Sequence, residues 1–191
     1  MTERLKEVWT ALARLSKAGL TRQTVAALLR NYAGPASQYV LQLEQPSDAQ
    51  VLDYDNLLTS LWETLAQRTF TDAAKKRLGL STKLGGCGAQ FAATRRHAAY
   101  WSMSCATLDE VVAGTRFSTV ATFLEAVPQL AAKLETARQG LVQQGLSFND
   151  GAPLANAVRS SLQQGMLVLM IYKRKTGTLS RVLCVKDKLP R

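Results

Sequence analysis

The fold class follows first from residues Ser47–Leu65, which read SDAQVLDYDNLLTSLWETL. The apolar residues of this stretch recur mainly three or four apart, which is the spacing of one face of an α-helix. They are Val51, Leu57, Leu58, Leu61, Trp62 and Leu65. Ser47 and Gln50 have the spacing of a capping box, in which each side chain bonds the other residue's backbone N–H. The stretch therefore predicts a long amphipathic helix.

Helix signals continue on the N-terminal side of this stretch. Apolar residues at helical spacing predict a first helix from Leu5 to Gly19. Thr21 can cap a second helix, which we expect to end at Gly34-Pro35 because proline breaks helices. A short helix is expected to follow over 37–43.

Helix signals also continue on the C-terminal side. Two basic turns of helix are predicted over 71–78, and a loop over 79–88, where glycines lie too close together for a helix or strand. A further helix is expected over about 90–104. Thr107 and Glu110 predict a capping box that starts another, and Pro128 and Pro153 can each open one.

The pattern changes at Met166. Residues Met166–Tyr172 are continuously apolar, Lys173–Thr178 are polar around Gly177, and Arg181–Lys186 alternate in part. This order is typical of a β-hairpin. We therefore predict a mainly α fold, a helical bundle with a small C-terminal β-hairpin. The expected domains are a helical domain over residues 1–165 and a basic hairpin tail over residues 166–191.

Composition limits the class of protein. The 191 residues include 24 Lys and Arg against 14 Asp and Glu, a formal net charge of +10, which favours polyanionic partners. The three cysteines have no spacing typical of disulfide frameworks or metal sites. No apolar run is long enough to span a bilayer, and the N-terminus does not resemble a signal peptide. We expect a soluble intracellular protein, in the nucleus or cytoplasm, with no membrane partner and no cofactor or metal.

The charge is unevenly distributed along the chain. Residues Asn31–Gln67 contain five acidic residues and no Lys or Arg, whereas Arg68–Arg96 contain seven bases and one acid, Asp72. A second basic block, Lys173–Arg191, contains seven bases and one acid. Such blocks, beside a glycine loop or on a hairpin, suit contacts with phosphates. The predicted nucleic-acid-binding residues are Arg68, Lys75, Lys76, Arg77, Lys83, Gly85, Gly86, Arg95, Arg96, Lys173, Arg174 and Lys175.

Catalytic interpretations are weaker. His97 is the only histidine, and Cys87 lies ten residues before it, so a Cys–His nucleophile pair can be imagined. A cysteine in a glycine loop and a histidine on an arginine-flanked helix need no such role. Asp53 and Asp55 are two apart and would not share a helical face. We predict no catalytic residues.

Three stretches of the sequence also match the pattern of a known family. The first is Leu28-Leu29-Arg30 followed by Gly34-Pro35, Tyr39 and Leu41, and the second is residues 80–88, LSTKLGGCG. The third contains Ala92, Ala93, Ala98, Ala99, Tyr100 and Trp101. In this order they resemble reverse transcriptases of non-long-terminal-repeat retrotransposons: the region after the palm, a Leu-Pro-x-x-x-Gly-Gly-x-Gly stretch with Ser81 here in the place of the proline, and an alanine-rich helix.

The resemblance covers residues 5–104 most clearly and implies a thumb region without the catalytic palm. Polymerases of this family hold two metal ions with palm aspartates, including an Asp-Asp pair, and this sequence has no such pair. In this family the thumb binds primer and template and contributes no catalytic residues. We therefore expect a non-catalytic fragment, whether truncated, degenerate or domesticated, that binds RNA or DNA through basic patches. The alternative is a helical protein–protein interaction module that binds an acidic partner. The number of copies that associate is not predicted.

Overall fold

The computed structural model describes residues 1–146, 148 and 153–163 of the chain. Within them the fold is mainly α, as the sequence predicts. The eight α-helices of the described residues are α1 (Thr2–Lys17), α2 (Arg22–Leu43), α3 (Asp48–Ala66), α4 (Asp72–Leu78), α5 (Ala92–Ala113), α6 (Val120–Ala126), α7 (Pro128–Gln143) and α8 (Leu154–Gln163). A 3-10 turn, Thr82–Leu84, lies between α4 and α5. No helix of the described part is both long and apolar enough to cross a membrane.

The chain divides into two compact units, one of Met1–Arg95 and one that begins at Arg96. The boundary falls inside α5, and so inside the segment 1–165 that the sequence analysis treats as one domain. The hairpin predicted for residues 166–191 lies outside the described residues and stays a prediction.

In the N-terminal unit, α1 packs on α2 and α3, and α2 packs on α3. The core between them is built from apolar side chains that repeat at helical spacing, among them Leu5, Leu12, Val25, Leu29, Leu41, Val51, Tyr54, Leu58 and Leu61. Side-chain caps determine where two of these helices begin. Thr21 caps α2, and the Ser47–Gln50 capping box is present with both of its bonds.

Helix α2 does not end at Gly34-Pro35, so that prediction is wrong. Proline lacks an N–H and costs a helix interior about 3 kcal/mol. Here the helix is held on both sides of the proline by buried residues, Leu29 before it and Leu41 after it. The Tyr54 hydroxyl also donates to the Ala33 carbonyl oxygen at 2.9 Å. These contacts outweigh the local preference, and the helix expected over 37–43 is the second half of α2.

The described C-terminal unit is built from the rest of α5 with α6, α7 and α8 around a second core. Trp101 is fully buried there and meets Phe148 edge to face, with ring centroids 5.3 Å apart. Further buried members of this core are Leu108, Val120, Leu124, Leu134, Leu141 and Val158. Pro128 occupies the first turn of α7, and Pro153 directly precedes α8, as predicted.

The capping box predicted for Thr107 and Glu110 is wrong. Helix α5 runs without a break through both residues. The Thr107 hydroxyl donates backwards to the Met103 carbonyl oxygen at 3.0 Å, which is a bond available to threonine in a helix interior. Buried Cys105 and Leu108, on either side of Thr107, keep this part of the helix packed in the core.

Two long-range hydrogen bonds to one carboxylate fix the start of α5. The Asp55 carboxylate on α3 accepts the Ala92 N–H at 2.7 Å and the Ala93 N–H at 3.0 Å. Helix N-termini carry unpaired N–H groups and a partial positive charge, so a carboxylate is well placed there. This role of Asp55 depends on the tertiary structure and has no signal in the sequence.

We expect Asp55→Ala to lower the free energy of unfolding by about 1 kcal/mol, the usual cost of removing an N-terminal cap. Asp53→Ala is the matched control, because Asp53 is exposed on the same helix. Chemical denaturation of both variants measures the difference. Equal effects from the two substitutions would contradict the capping role.

Candidate nucleic-acid interface

The turn between α3 and α4 positions the first predicted base. Gln67 closes α3 with a left-handed backbone, φ 54°, and the Arg68 N–H donates to the Glu63 carbonyl oxygen at 3.2 Å. The Glu63 side chain then accepts the Phe70 N–H at 2.8 Å. Arg68 is exposed, with its guanidinium carbon 5.8 Å from the centre of the Phe70 ring. The turn therefore holds a cation beside an aromatic face.

Helix α4 carries the next three bases. Thr71 caps it by accepting the Ala74 N–H, and Asp72 lies in its first turn. Lys75, Lys76 and Arg77 lie in its last turn, where cations also favour the helix dipole. All three bases are exposed, and Leu78 anchors the helix as its buried residue.

Together with Lys83, which is exposed on the 3-10 turn, these residues form what we call the α4 basic segment: Arg68, Lys75, Lys76, Arg77 and Lys83. None of the five forms an ion pair within the part of the chain that the structure describes. Asp72 is the single acidic residue between Arg68 and Arg96 in the sequence. The segment thus presents a net positive charge whose five bases form no ion pair with a described carboxylate.

Gly85 and Gly86 have a conformational role in the loop. The Gly85 N–H donates to the Thr82 carbonyl oxygen at 3.1 Å, and the Gly86 N–H donates to the Ser81 carbonyl oxygen at 3.0 Å. Gly85 has a φ of 73°, and a Cβ on Gly86 would overlap the Leu80 backbone. Their amides are used inside the loop, so the expected phosphate contact would have to come from the side chains around it.

Arg95 and Arg96 also have partners. The half-buried Arg95 guanidinium donates to the side-chain oxygens of Gln38 and Gln90, and burial lowers the pKa of Arg95 from its ordinary value. The Arg96 Nε–H donates to His97 Nε2 at 3.1 Å. These two arginines are therefore tied into the protein, unlike the α4 basic segment. Lys173, Arg174 and Lys175 lie outside the described residues.

A cavity of about 660 Å³ lies beside the α4 basic segment, within the N-terminal unit. It is bounded by the first turns of α2, the end of α3, helix α4 and the glycine loop. Three arginines line it, Arg22, Arg68 and Arg77, together with Trp62 and Cys87. The remaining described lining residues are Gln23, Ala26, Leu65, Ala66, Phe70, Thr71, Ala73, Ala74, Leu78 and Gly85. None of the described lining residues is acidic.

The sequence reasoning does not find this cavity. Arg22 is a single base at the start of α2, and only the fold brings it to the same cavity as Arg68 and Arg77. The sequence favours core positions for Trp62, Tyr100 and Trp101, and they are 5%, 4% and 0% exposed. No periodicity or motif signals that Trp62 also lines a cavity.

The two residues of the imagined nucleophile pair belong to different units. His97 is buried in the C-terminal unit, and Cys87 is exposed in the loop of the N-terminal unit. Within the described residues no group of three or more His, Cys, Asp or Glu side chains could hold a metal ion.

Comparison with known proteins identifies no relative: no protein-family model, curated protein or solved structure matches the chain.

Proposed function

We propose that this protein binds RNA or DNA without sequence specificity, through phosphate contacts made by the α4 basic segment. The observation that carries the proposal is the exposure of five bases with no ion-pair partner among the described residues. Lys and Arg side chains that neutralise phosphates release counterions, and this release supplies most of the free energy of non-specific binding. The predicted tail bases Lys173, Arg174 and Lys175 form a second contact in this proposal.

The resemblance to a reverse transcriptase thumb supports the same kind of binding. A thumb segment binds primer and template along the backbone, which is the kind of contact that the α4 basic segment offers. The glycine stretch of the resemblance, residues 80–88, lies between α4 and α5 and carries Lys83. In this view the protein is a binding fragment, and a separate palm would have to supply any polymerase chemistry.

Salt dependence of binding tests the proposal. We expect a labelled single-stranded oligonucleotide to bind at about 50 mM salt and to weaken steeply by about 200 mM salt. With three to five phosphate contacts from the α4 basic segment and up to three more from the predicted tail, log K should fall against log salt with a slope between roughly −2 and −5.6, since each contact contributes about −0.7. Fluorescence anisotropy measures both values. No binding at the lower salt concentration, or a flat salt dependence, would exclude the proposed mode.

A second candidate function is the binding of an acidic protein partner. Tyr32, Tyr39 and Leu43 favour a protein partner, because they lie seven and four residues apart on one face of α2 and are 59%, 69% and 48% exposed. The acidic character of that partner is inferred from the net charge of +10 alone. Aromatic side chains on a helix face are typical of protein interfaces. A partner that docks there would lose affinity on Tyr32→Ser and Tyr39→Ser, whereas nucleic-acid binding through the α4 basic segment would not change.

A further inference from the structure

The cavity beside α4 has the chemistry of a ligand site. Its volume of about 660 Å³ falls in the range of small-molecule sites, roughly 300–1,000 Å³. Most of its lining is apolar, and its charged lining residues are Arg22, Arg68 and Arg77. A complementary ligand therefore combines a flat or apolar body with a negatively charged group.

Trp62 and Phe70 add aromatic surface to this lining. Trp62 is 95% buried, so little of its ring is open to a ligand, whereas Phe70 is half-buried. Three arginines and no acidic residue in the described lining favour an anionic ligand over a purely apolar one.

We infer that the cavity receives one unstacked nucleotide of a bound single strand, so that the protein prefers single strands over duplexes. This inference rests on the proposed function and names the cavity as the place where one nucleotide of the strand binds. The base lies against the apolar wall near Phe70 and Ala74, and the neighbouring phosphate lies by the guanidinium groups. Aromatic and guanidinium groups bind unstacked bases in many single-strand-binding proteins. Arg77 of α4 is exposed and lines the cavity, so a strand whose phosphate contacts Arg77 reaches the cavity.

Filling the cavity tests the inference without a change of charge. Ala74 is half-buried on α4 and lines the cavity, so Ala74→Leu places a larger side chain there. Ala49→Leu is the matched control, because Ala49 is exposed on α3 and does not line the cavity. We expect Ala74→Leu to weaken single-strand binding by roughly tenfold or more, within the usual contribution of one stacked base. Duplex binding should stay within about twofold, since phosphate contacts are unchanged.

Alkylation of Cys87 gives a readout that does not depend on strand binding. Cys87 lines the cavity and is exposed, whereas Cys105 is buried, so a Cys184→Ser background leaves Cys87 as the accessible thiol of the two described. We expect adenosine 5′-monophosphate to slow alkylation of Cys87 by iodoacetamide several-fold. Inorganic phosphate should have little effect, because it lacks a base to fill the cavity.

The outcomes separate the inference from the proposed function. Equal single-strand affinities of Ala74→Leu and the parent, with normal salt dependence, would overturn the inference and leave the function standing. Equal protection of Cys87 by phosphate and by the nucleotide would also overturn it, since the site would then recognise an anion alone. If no strand binds but the nucleotide still protects Cys87, the proposed function fails and the cavity remains a nucleotide site.

Discussion

Reversing Lys75 and Lys76 together to glutamate is expected to lower the affinity for a single-stranded oligonucleotide by about 10- to 100-fold near 0.1 M salt. Two unit charges 4 Å apart in water attract by about 1 kcal/mol, and a reversal turns this attraction into repulsion. Two reversals therefore change the binding free energy by about 4 kcal/mol before screening by salt. Screening over a Debye length of about 10 Å reduces this value to the expected range.

Lys75 and Lys76 suit this experiment because both are exposed and neither lines the cavity. The decrease in affinity should be similar for every sequence, since phosphate contacts carry no sequence information. The slope of log K against log salt should become less steep by roughly 0.7 for each phosphate that the variant no longer neutralises. Anisotropy titrations at three salt concentrations measure both quantities.

A control variant with the same change of net charge separates local contacts from the general field. Arg14→Glu with Lys133→Glu serves, because both residues are exposed and lie on other helices, α1 and α7. We expect this control to bind only a few-fold more weakly than the parent. If both double variants weaken binding equally, the net charge of the chain and not the α4 basic segment determines binding.

The sequence predicts the starts of α2, α3 and α4, but not the continuation of α2 and α5 through positions where a local pattern suggests a new start. Thr21, Ser47 and Thr71 each cap the helix that follows, because an N-terminal cap is a bond between residues three apart. Pro35 and Thr107 have local patterns that predict interruptions, and the helices run through both. At both positions the helix is stabilised by buried contacts with other parts of the chain, and those contacts have no local pattern.

The same limit applies to the candidate site. The α4 basic segment is contiguous in the sequence, so its charge can be recognised without the structure. The structure is needed to tell which of these bases is available for a ligand. Arg95 belongs to the same basic block as Lys76, but Gln38 from the distant helix α2 holds it. The cavity likewise depends on the packing of α2 against α3, which places Arg22 and Trp62 around one space.

The substitution Gly140→Ala is expected to have two opposing effects on the free energy of unfolding. Gly140 lies inside α7, where Gly→Ala alone would stabilise a helix by about 1 kcal/mol. However, Gly140 is buried, and a Cβ on it would overlap the imidazole ring of His97 on α5. His97 is itself 8% exposed, so its ring has little room to move away. Overpacking of a core costs about 1–3 kcal/mol, so we expect the steric effect to prevail.

We expect Gly140→Ala to lower the free energy of unfolding of the C-terminal unit by up to about 2 kcal/mol, because the gain in helix preference offsets about 1 kcal/mol of the steric cost. Hydrogen exchange of the α5 and α7 amides, measured by mass spectrometry, reports the decrease. Gly114→Ala is the matched control, because a Cβ on Gly114 would make only ordinary contacts, 3.6 Å from the Val111 carbonyl oxygen. That substitution should change stability by no more than about 0.5 kcal/mol.

A double-mutant cycle with His97→Ala assigns the effect to the overlap. With the imidazole removed, Gly140→Ala should become neutral or stabilising, because only its helix preference of about 1 kcal/mol remains. The coupling free energy between the two positions should then be at least about 1 kcal/mol, typical of residues in direct contact. A Gly140→Ala penalty that persists in the His97→Ala background would show that another neighbour, and not His97, requires glycine at this point of α7.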